Sequence, residues 1–199
     1  EEIMRFSSSW FYDGKVKAAP ITAHRGILDY DTPIEWVDDV ANDDETVGET
    51  FVGETFGRIN KVEARQVMEL LQAYFEKIGK QRIIDESIDV GIISPYRAQV
   101  QYLRHLIKKE AFFKPFRHLL SVNTVDGFQG QERDVIIVSL VRSNNDGQIG
   151  FLRDLRRMNV AMTRARSKLI IIGDHETLAH HEFYKKLYEY IKKHKTDNF

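Results

Sequence analysis

Three short runs of this sequence are apolar at consecutive rather than alternate positions: IDVGIIS at 88–94, VIIVSLV at 135–141 and LIIIG at 169–173. A strand with one face in water alternates apolar and polar residues, whereas a strand that lacks the alternation has both faces covered. Segments of helical period lie between these runs. From Asn60 onward, Val67, Leu70, Leu71, Tyr74, Phe75 and Ile78 share one face, and Leu152, Leu155, Met158, Met162 and Ala165 recur at helical spacing around the stretch RRMNVAMTRARSKLIIIGD at 156–174. Arg157 and Arg164, seven apart, then share another side of that helix. Buried strands alternating with amphipathic helices describe an α/β domain of three layers, a mostly parallel sheet covered by helices on both faces. In such sheets ligands bind just beyond the carboxyl ends of the strands. That rule singles out the loop into Asn60, SPYRAQ at 94–99, TVDGFQGQE at 124–132 and Gly173-Asp174.

The remaining elements follow from local signals. Met4 to Val16 reads as a helix end followed by an Asp13-Gly14 turn, and Ile34 to Val40 as a strand leading into an acidic loop at 41–45. VGETF then occurs twice in succession within 47–57; five residues are too short for a structural repeat, so 41–58 is expected to be one long, tolerant loop. Asn60 with Glu63 three residues on resembles a capping box that opens a helix, and Gly79 closes it. Ser94-Pro95 supplies an N-cap with proline at the first helical position, carrying a helix to Lys109. Leu119 to Val125 and Val135 to Val141 are further strands, and a last helix runs from His181 to about Lys193.

Composition excludes several classes. With no cysteine among 199 residues there is neither a disulfide framework nor a cysteine-based zinc site, and the seven histidines show no ligand spacing, so no metal ligands are expected within the chain. A formal net charge of −1 means that any polyanion is held by local patches rather than by bulk charge. No run approaches membrane-spanning length and nothing resembles a signal peptide, so an intracellular protein, cytoplasmic or nuclear, with no membrane partner is expected. No Gly-Lys-Ser/Thr occurs anywhere, so the chain carries no phosphate loop.

Four segments taken together, INKVEA at 59–64, GIISPYRAQ at 91–99, SVNTVDGFQGQERDVIIVSLVRSN at 121–144 and IGFLRDLRRMNVAMTRARSKLIIIGD at 149–174, resemble the second RecA-like domain of superfamily 1 helicases, in the group of the nonsense-mediated-decay helicase, senataxin and the Dna2-type enzymes. The resemblance spans nearly the whole chain, 1–199, as a single RecA-like domain. MRFSSSWFYDGK looks like the tail of a further family motif, so residues 1–16 are expected to be the end of an upstream helicase motif and the chain a piece of something longer. The resemblance implies ATP with Mg2+ bound between this domain and a first RecA-like domain of the same chain, and single-stranded nucleic acid, DNA or RNA, running across both.

The same resemblance distributes roles. Arg164, in TRAR, falls at the position of an arginine finger, whose planar fork stabilises charge spread over a transferring γ-phosphate; the alternative, a helix-terminal arginine on C-terminal carbonyls, better suits Arg166. Glu132 falls at the nucleotide, where a carboxylate orients an arginine or a water or accepts from a ribose hydroxyl. Gln129 and Gly130, on the same loop, fall among the nucleotide-binding residues, with Gln129 linking the nucleotide and nucleic-acid sites. Gly127 and Gly130 suit tight backbone turns. Arg157 faces the nucleotide or braces the acidic loop at 41–45 instead. Lys61 opposes the helix macrodipole in a first turn and stands where the family often has a phosphate-facing arginine, leaving a phosphate ligand or a solvated lysine. Ser94, Pro95 and Tyr96 offer a helix start and a stacking ring to the strand, and Thr124 a hydroxyl to a phosphate. The competing reading is a RecA-like module that binds nucleic acid or regulates without hydrolysis.

Overall fold

The computed structural model describes residues 2–17, 27–28, 31–39, 48–53 and 57–196, the last two by backbone alone. Five strands form one sheet: β1 (Ile34–Val37), β4 (Val90–Ile93), β5 (Leu120–Asn123), β6 (Arg133–Ser139) and β7 (Ala165–Ile172). Their order is β1-β7-β6-β4-β5, and each neighbouring pair is parallel. The consecutive apolar residues divide between two cores. Val135 and Ile137 of β6 join Ile170 and Ile172 of β7 on one side; Ile136 and Val138 join Leu169 and Ile171 on the other.

Helices cover both cores. On the first side lie α2 (Lys61–Ile78), α3 (Lys80–Asp85) and α4 (Arg97–Lys109), contributing Val67, Leu71, Phe75, Ile83, Val100 and Leu103. On the second lie α1 (Glu2–Phe11), α5 (Leu155–Met162) and α7 (Glu182–Thr196), contributing Phe6, Met158, Met162, Phe183, Tyr184 and Leu187. Each fully buried side chain of this size contributes about 1.5–3 kcal/mol. The layering is that of a three-layer α/β RecA-like domain. The N-terminal helix docks through Phe6 and Trp10, whose rings lie 5.5 and 5.3 Å from Phe183. On the same face Trp36 of β1 meets Tyr188 edge-on at 5.5 Å and donates its indole N–H to the Gly173 carbonyl. A short helix, α6 (His175–Leu178), is capped by Asp174, whose carboxylate accepts from the Glu176 and Thr177 amides.

Several boundaries differ from the sequence reading, each for a local reason. The arginine stretch is not one helix through Ala165. Its helix stops at Met162, and Leu152 lies in a separate 3-10 turn, Gly150–Arg153. The Arg133 amide donates to the Arg164 carbonyl at 2.9 Å, which draws residues 164–165 into the sheet ladder. Ala165 still packs on the α5 core, so the apolar period carries across the break. The helix after Ser94-Pro95 starts at Arg97 with Tyr96 as its N-cap, because the Ser94 amide is taken by the Asn123 carbonyl in a continuation of the β4–β5 pairing.

The span 41–58 is not one tolerant loop. Its acidic part, 41–45, lies outside the described residues, but β2 (Thr50–Val52) and β3 (Gly57–Ile59) form an antiparallel ribbon. Glu49, in the first VGETF copy, is a buried carboxylate paired with both Arg58 and Arg142. A loop free to drift would not spend a carboxylate this way, since a buried charge is tolerated only with such partners.

Candidate functional site

A parallel sheet has two unlike rims, and the sequence-predicted site residues divide between them. At the carboxyl rim, the exits of β4 and β5 are tied by the Ser94–Asn123 backbone bond of 3.3 Å. The Ser94 side chain is fully buried there and its hydroxyl accepts from the Tyr96 amide at 3.4 Å. Tyr96 is also buried, 7% exposed, with its hydroxyl accepting from Arg142 Nη1 and its ring against Phe151. Neither the Ser94 hydroxyl nor the Tyr96 ring is presented to a passing strand, contrary to the expectation. Pro95 and Thr124 remain partly exposed at this rim. Thr124 is fixed by its amide, which donates to Asn123 Oδ1 at 2.9 Å. Gly127 closes the turn above it; a Cβ there would fall on the Asn123 side chain, so the loop needs glycine at this point.

Beneath the same rim lies a polar core that the sequence reading missed. Asn60 caps α2 by accepting from the Glu63 amide at 3.1 Å, as expected of a capping box. The reciprocal half is absent: the Asn60 amide donates to Gln99 Oε1 at 3.0 Å, and the Glu63 side chain turns inward instead. Its carboxyl accepts from the Ser139 hydroxyl at 2.6 Å and the Val141 amide at 2.8 Å, and Gln99 Nε2 donates to both Ser139 Oγ and the Asn60 carbonyl. Burial pushes the Glu63 carboxyl well above the usual carboxylate range, against the opposing pull of its hydrogen bonds to Ser139 and Val141. Val141 sits at φ 71°, costly for a β-branched residue, with its N–H aimed at that carboxyl. A signal was available: Glu63 lies four residues before Val67 on the apolar face of α2. Lys61, the first residue of α2, projects exposed from this rim.

The loop TVDGFQGQE descends from the carboxyl rim to the amino rim. After the turn Asp126–Phe128, whose Phe128 is buried over the sheet, Gln129 and Gly130 are exposed and the chain reaches Arg133 at the start of β6. Arg133 organises the descent: Nε donates to Ser121 Oγ, Nη1 to the Glu132 carbonyl and Nη2 to Gln131 Oε1, with its guanidinium 5.6 Å from the centre of the Phe128 ring. Through the Arg133–Arg164 backbone bond, exposed Glu132 and half-buried Arg164 emerge side by side at the amino ends of β6 and β7. Arg164 donates Nε to the Val160 carbonyl at 3.2 Å and Nη2 to Thr163 Oγ1 at 3.4 Å. It thus closes the end of α5 itself, the role the sequence had suited to Arg166, and its guanidinium plane is set by those contacts.

Arg166 instead lies on β7 and pairs across the sheet with Asp89 at 2.7 Å and Asp134 at 3.1 Å. The Asp134 carboxyl is raised, chiefly by burial. Because Arg166 is half-exposed, Arg166→Ala should lower stability by about 1 kcal/mol or less, measured by urea denaturation, and leave the ends of β6 and β7 in place. Arg157 pairs with Asp126 at 3.5 Å and with Asp154 at 3.7 Å; the acidic loop 41–45 it was expected to brace lies outside the described residues.

The rims are separated by the length of β6, seven residues, or roughly 20 Å at the rise of a strand. Lys61 and Arg164 therefore stand at opposite rims of the sheet. The geometry keeps Arg164 with Glu132 and leaves Lys61 with the carboxyl rim.

Comparison with known proteins gives the family of the chain. The AAA domain family model matches residues 1–176. DNA polymerase alpha-associated DNA helicase A of Saccharomyces cerevisiae is 38% identical over 89% of this chain and 26% of its own length. Helicase SEN1 of the same yeast is 35% identical over 96% of this chain and 8% of its own. The regulator of nonsense transcripts 1 homolog of Neurospora crassa is 32% identical over 96% and 17%. The chain thus spans about a quarter or less of these relatives.

Proposed function

Since the chain belongs to the AAA domain family, as the C-terminal RecA-like region of superfamily 1 helicases, we propose that it is the second motor domain of an ATP-dependent helicase or translocase acting on single-stranded nucleic acid. The observation that carries this reading is the joining of two rims by one loop: Thr124 at the carboxyl rim and Glu132, beside Arg164, at the amino rim, with nothing but TVDGFQGQE between them.

The residues at the amino rim fit a nucleotide's phosphates. Arg164 has its guanidinium plane fixed by Val160 and Thr163, and Nη1 carries no partner among the described residues, so a donor of set direction is available to a phosphate oxygen. Glu132, exposed and adjacent, orients that arginine or accepts from a ribose hydroxyl. Mg-ATP, when bound against a first RecA-like domain, supplies the phosphoryl group whose transfer to water drives the cycle. This domain's part is to hold Arg164 where charge develops on that group and to tie its approach to the strand rim through the loop. The strand lies on Pro95 and Thr124, with Lys61 adding a cation at the same rim.

The reading is tested with two proteins. The full-length protein should hydrolyse Mg-ATP and be stimulated by single-stranded DNA or RNA; these 199 residues alone, with no phosphate loop in their sequence, should show no turnover. Turnover by the 199-residue chain, abolished in its own Arg164→Ala variant, would overturn the division of labour. A full-length protein that binds strand without hydrolysing would favour a passive binding module.

A further inference from the structure

Phe151 is the most exposed large hydrophobic side chain among the described residues, at 63%. It is no loose loop tip. Gly150 ahead of it has φ 54°, and a Cβ at that position would lie on the Arg142 guanidinium and 2.9 Å from the Tyr96 hydroxyl, so the backbone lies flat on that pair. The Phe151 ring rests on the Tyr96 ring, centroids 5.6 Å apart at 49°. Tyr96 is buried; its hydroxyl accepts from Arg142, which is 4% exposed and held in turn by Glu49. One side of Phe151 is therefore braced by a buried, tilted ring and the other faces water. Phe151 lines a small pocket with Pro95, Val125 and Arg157, which places the ring at the carboxyl rim.

A single exposed ring on a rigid support is far smaller than the roughly 1,000 Å² that a stable protein interface requires. It is the size of one base. Base–aromatic stacking tolerates any sequence because every base has a π-face. We infer that Phe151 is a stacking platform for one unpaired nucleobase of the strand; the inference rests on the strand-binding role proposed for the carboxyl rim. Tyr96, to which sequence reasoning gave a stacking role, is the buried support of the ring that performs it.

The test uses the full-length protein and fluorescence anisotropy with oligothymidylate and oligouridylate. Phe151→Ala should weaken binding by about tenfold, Phe151→Leu by a similar factor, and Phe151→Trp hardly at all. The dependence of binding on salt should keep its slope in all three, because no phosphate contact is lost. An abasic residue moved through the oligonucleotide should find one position where wild type loses about tenfold and Phe151→Ala loses nothing more. Wild-type affinity of Phe151→Ala, or a loss equal at all abasic positions, would sink the inference. So would lowered ATPase activity with unchanged strand binding, since the ring would then be seated on protein. Thr124→Ala separates the two levels: if it weakens binding while Phe151→Ala does not, only the platform is wrong, and if neither does, the strand rim itself is misplaced.

Discussion

Arg164→Ala in the full-length protein should lower kcat for ATP hydrolysis by on the order of 10² or more, with nucleotide and strand affinity little changed. The effect falls on kcat because a guanidinium delivered across a cleft meets its phosphate oxygens mainly as charge develops on them. Arg164 also donates Nε to the Val160 carbonyl, so the same substitution should cost a few tenths to about 1 kcal/mol of stability at the end of α5. The two contributions separate in Arg164→Lys. A lysine ammonium can interact with helix-terminal carbonyls but cannot present a planar fork, so melting should recover while turnover should not. Steady-state ATPase assays with single-stranded DNA or RNA, run beside thermal melts, check both. Turnover near wild type in Arg164→Ala, with a lowered melting temperature, would make the residue a helix cap and no more.

The largest effect on stability is expected at Glu63. Glu63→Ala removes the acceptor of the Ser139 hydroxyl and the Val141 amide, both buried. Each buried donor left without a partner costs about 1–3 kcal/mol, so a total near 3 kcal/mol or more is expected in urea denaturation, and the unusual backbone of Val141 loses one of its restraints. Glu63→Gln keeps an acceptor and should cost less. The pH dependence has a definite sign. Below the ordinary carboxyl value of 4.5 the group is neutral folded or unfolded and contributes no slope. Above it the unfolded chain releases the proton while the folded chain, its carboxyl raised by burial, still holds it, so stability falls as pH rises until the folded value is passed. Glu63→Gln should abolish that decline. A Glu63→Ala variant within 1 kcal/mol of wild type would mean that water replaces the carboxyl without loss.

Where the chain is regular, its sequence was sufficient. The consecutive apolar residues of β4, β6 and β7 left no alternative to a sheet covered on both faces, and Val135 to Val138 divide between the two cores as the reading required. What it lacked was information carried by contacts distant in sequence. Ala165 keeps helical period with Met158 and Met162, and only the Arg133–Arg164 ladder bond reveals it as the first residue of a strand. Glu63 resembled a capping residue because Asn60 precedes it by three; the partners that turn it inward lie 76 and 78 residues further on. Burial of Tyr96 depends on Arg142 and Phe151 in the same way. The candidate residues were found by motif, but their division between rims required the topology, because TVDGFQGQE crosses from one rim to the other and local pattern does not record direction.

The placement of the tryptophans decides how such variants must be watched. Trp10 and Trp36 are the two in the sequence, and both lie on the face built by α1 and α7. The Glu63 core and helices α2 to α4 lie across the sheet. Tryptophan fluorescence, excited selectively over tyrosine, is thus a one-sided reporter: it follows the release of α1 and α7 and has no indole of its own in the other layer. Circular dichroism weighs the helices of both layers. Agreement between the two signals in one denaturation experiment therefore measures whether the sheet makes its two coverings melt as a single cooperative unit.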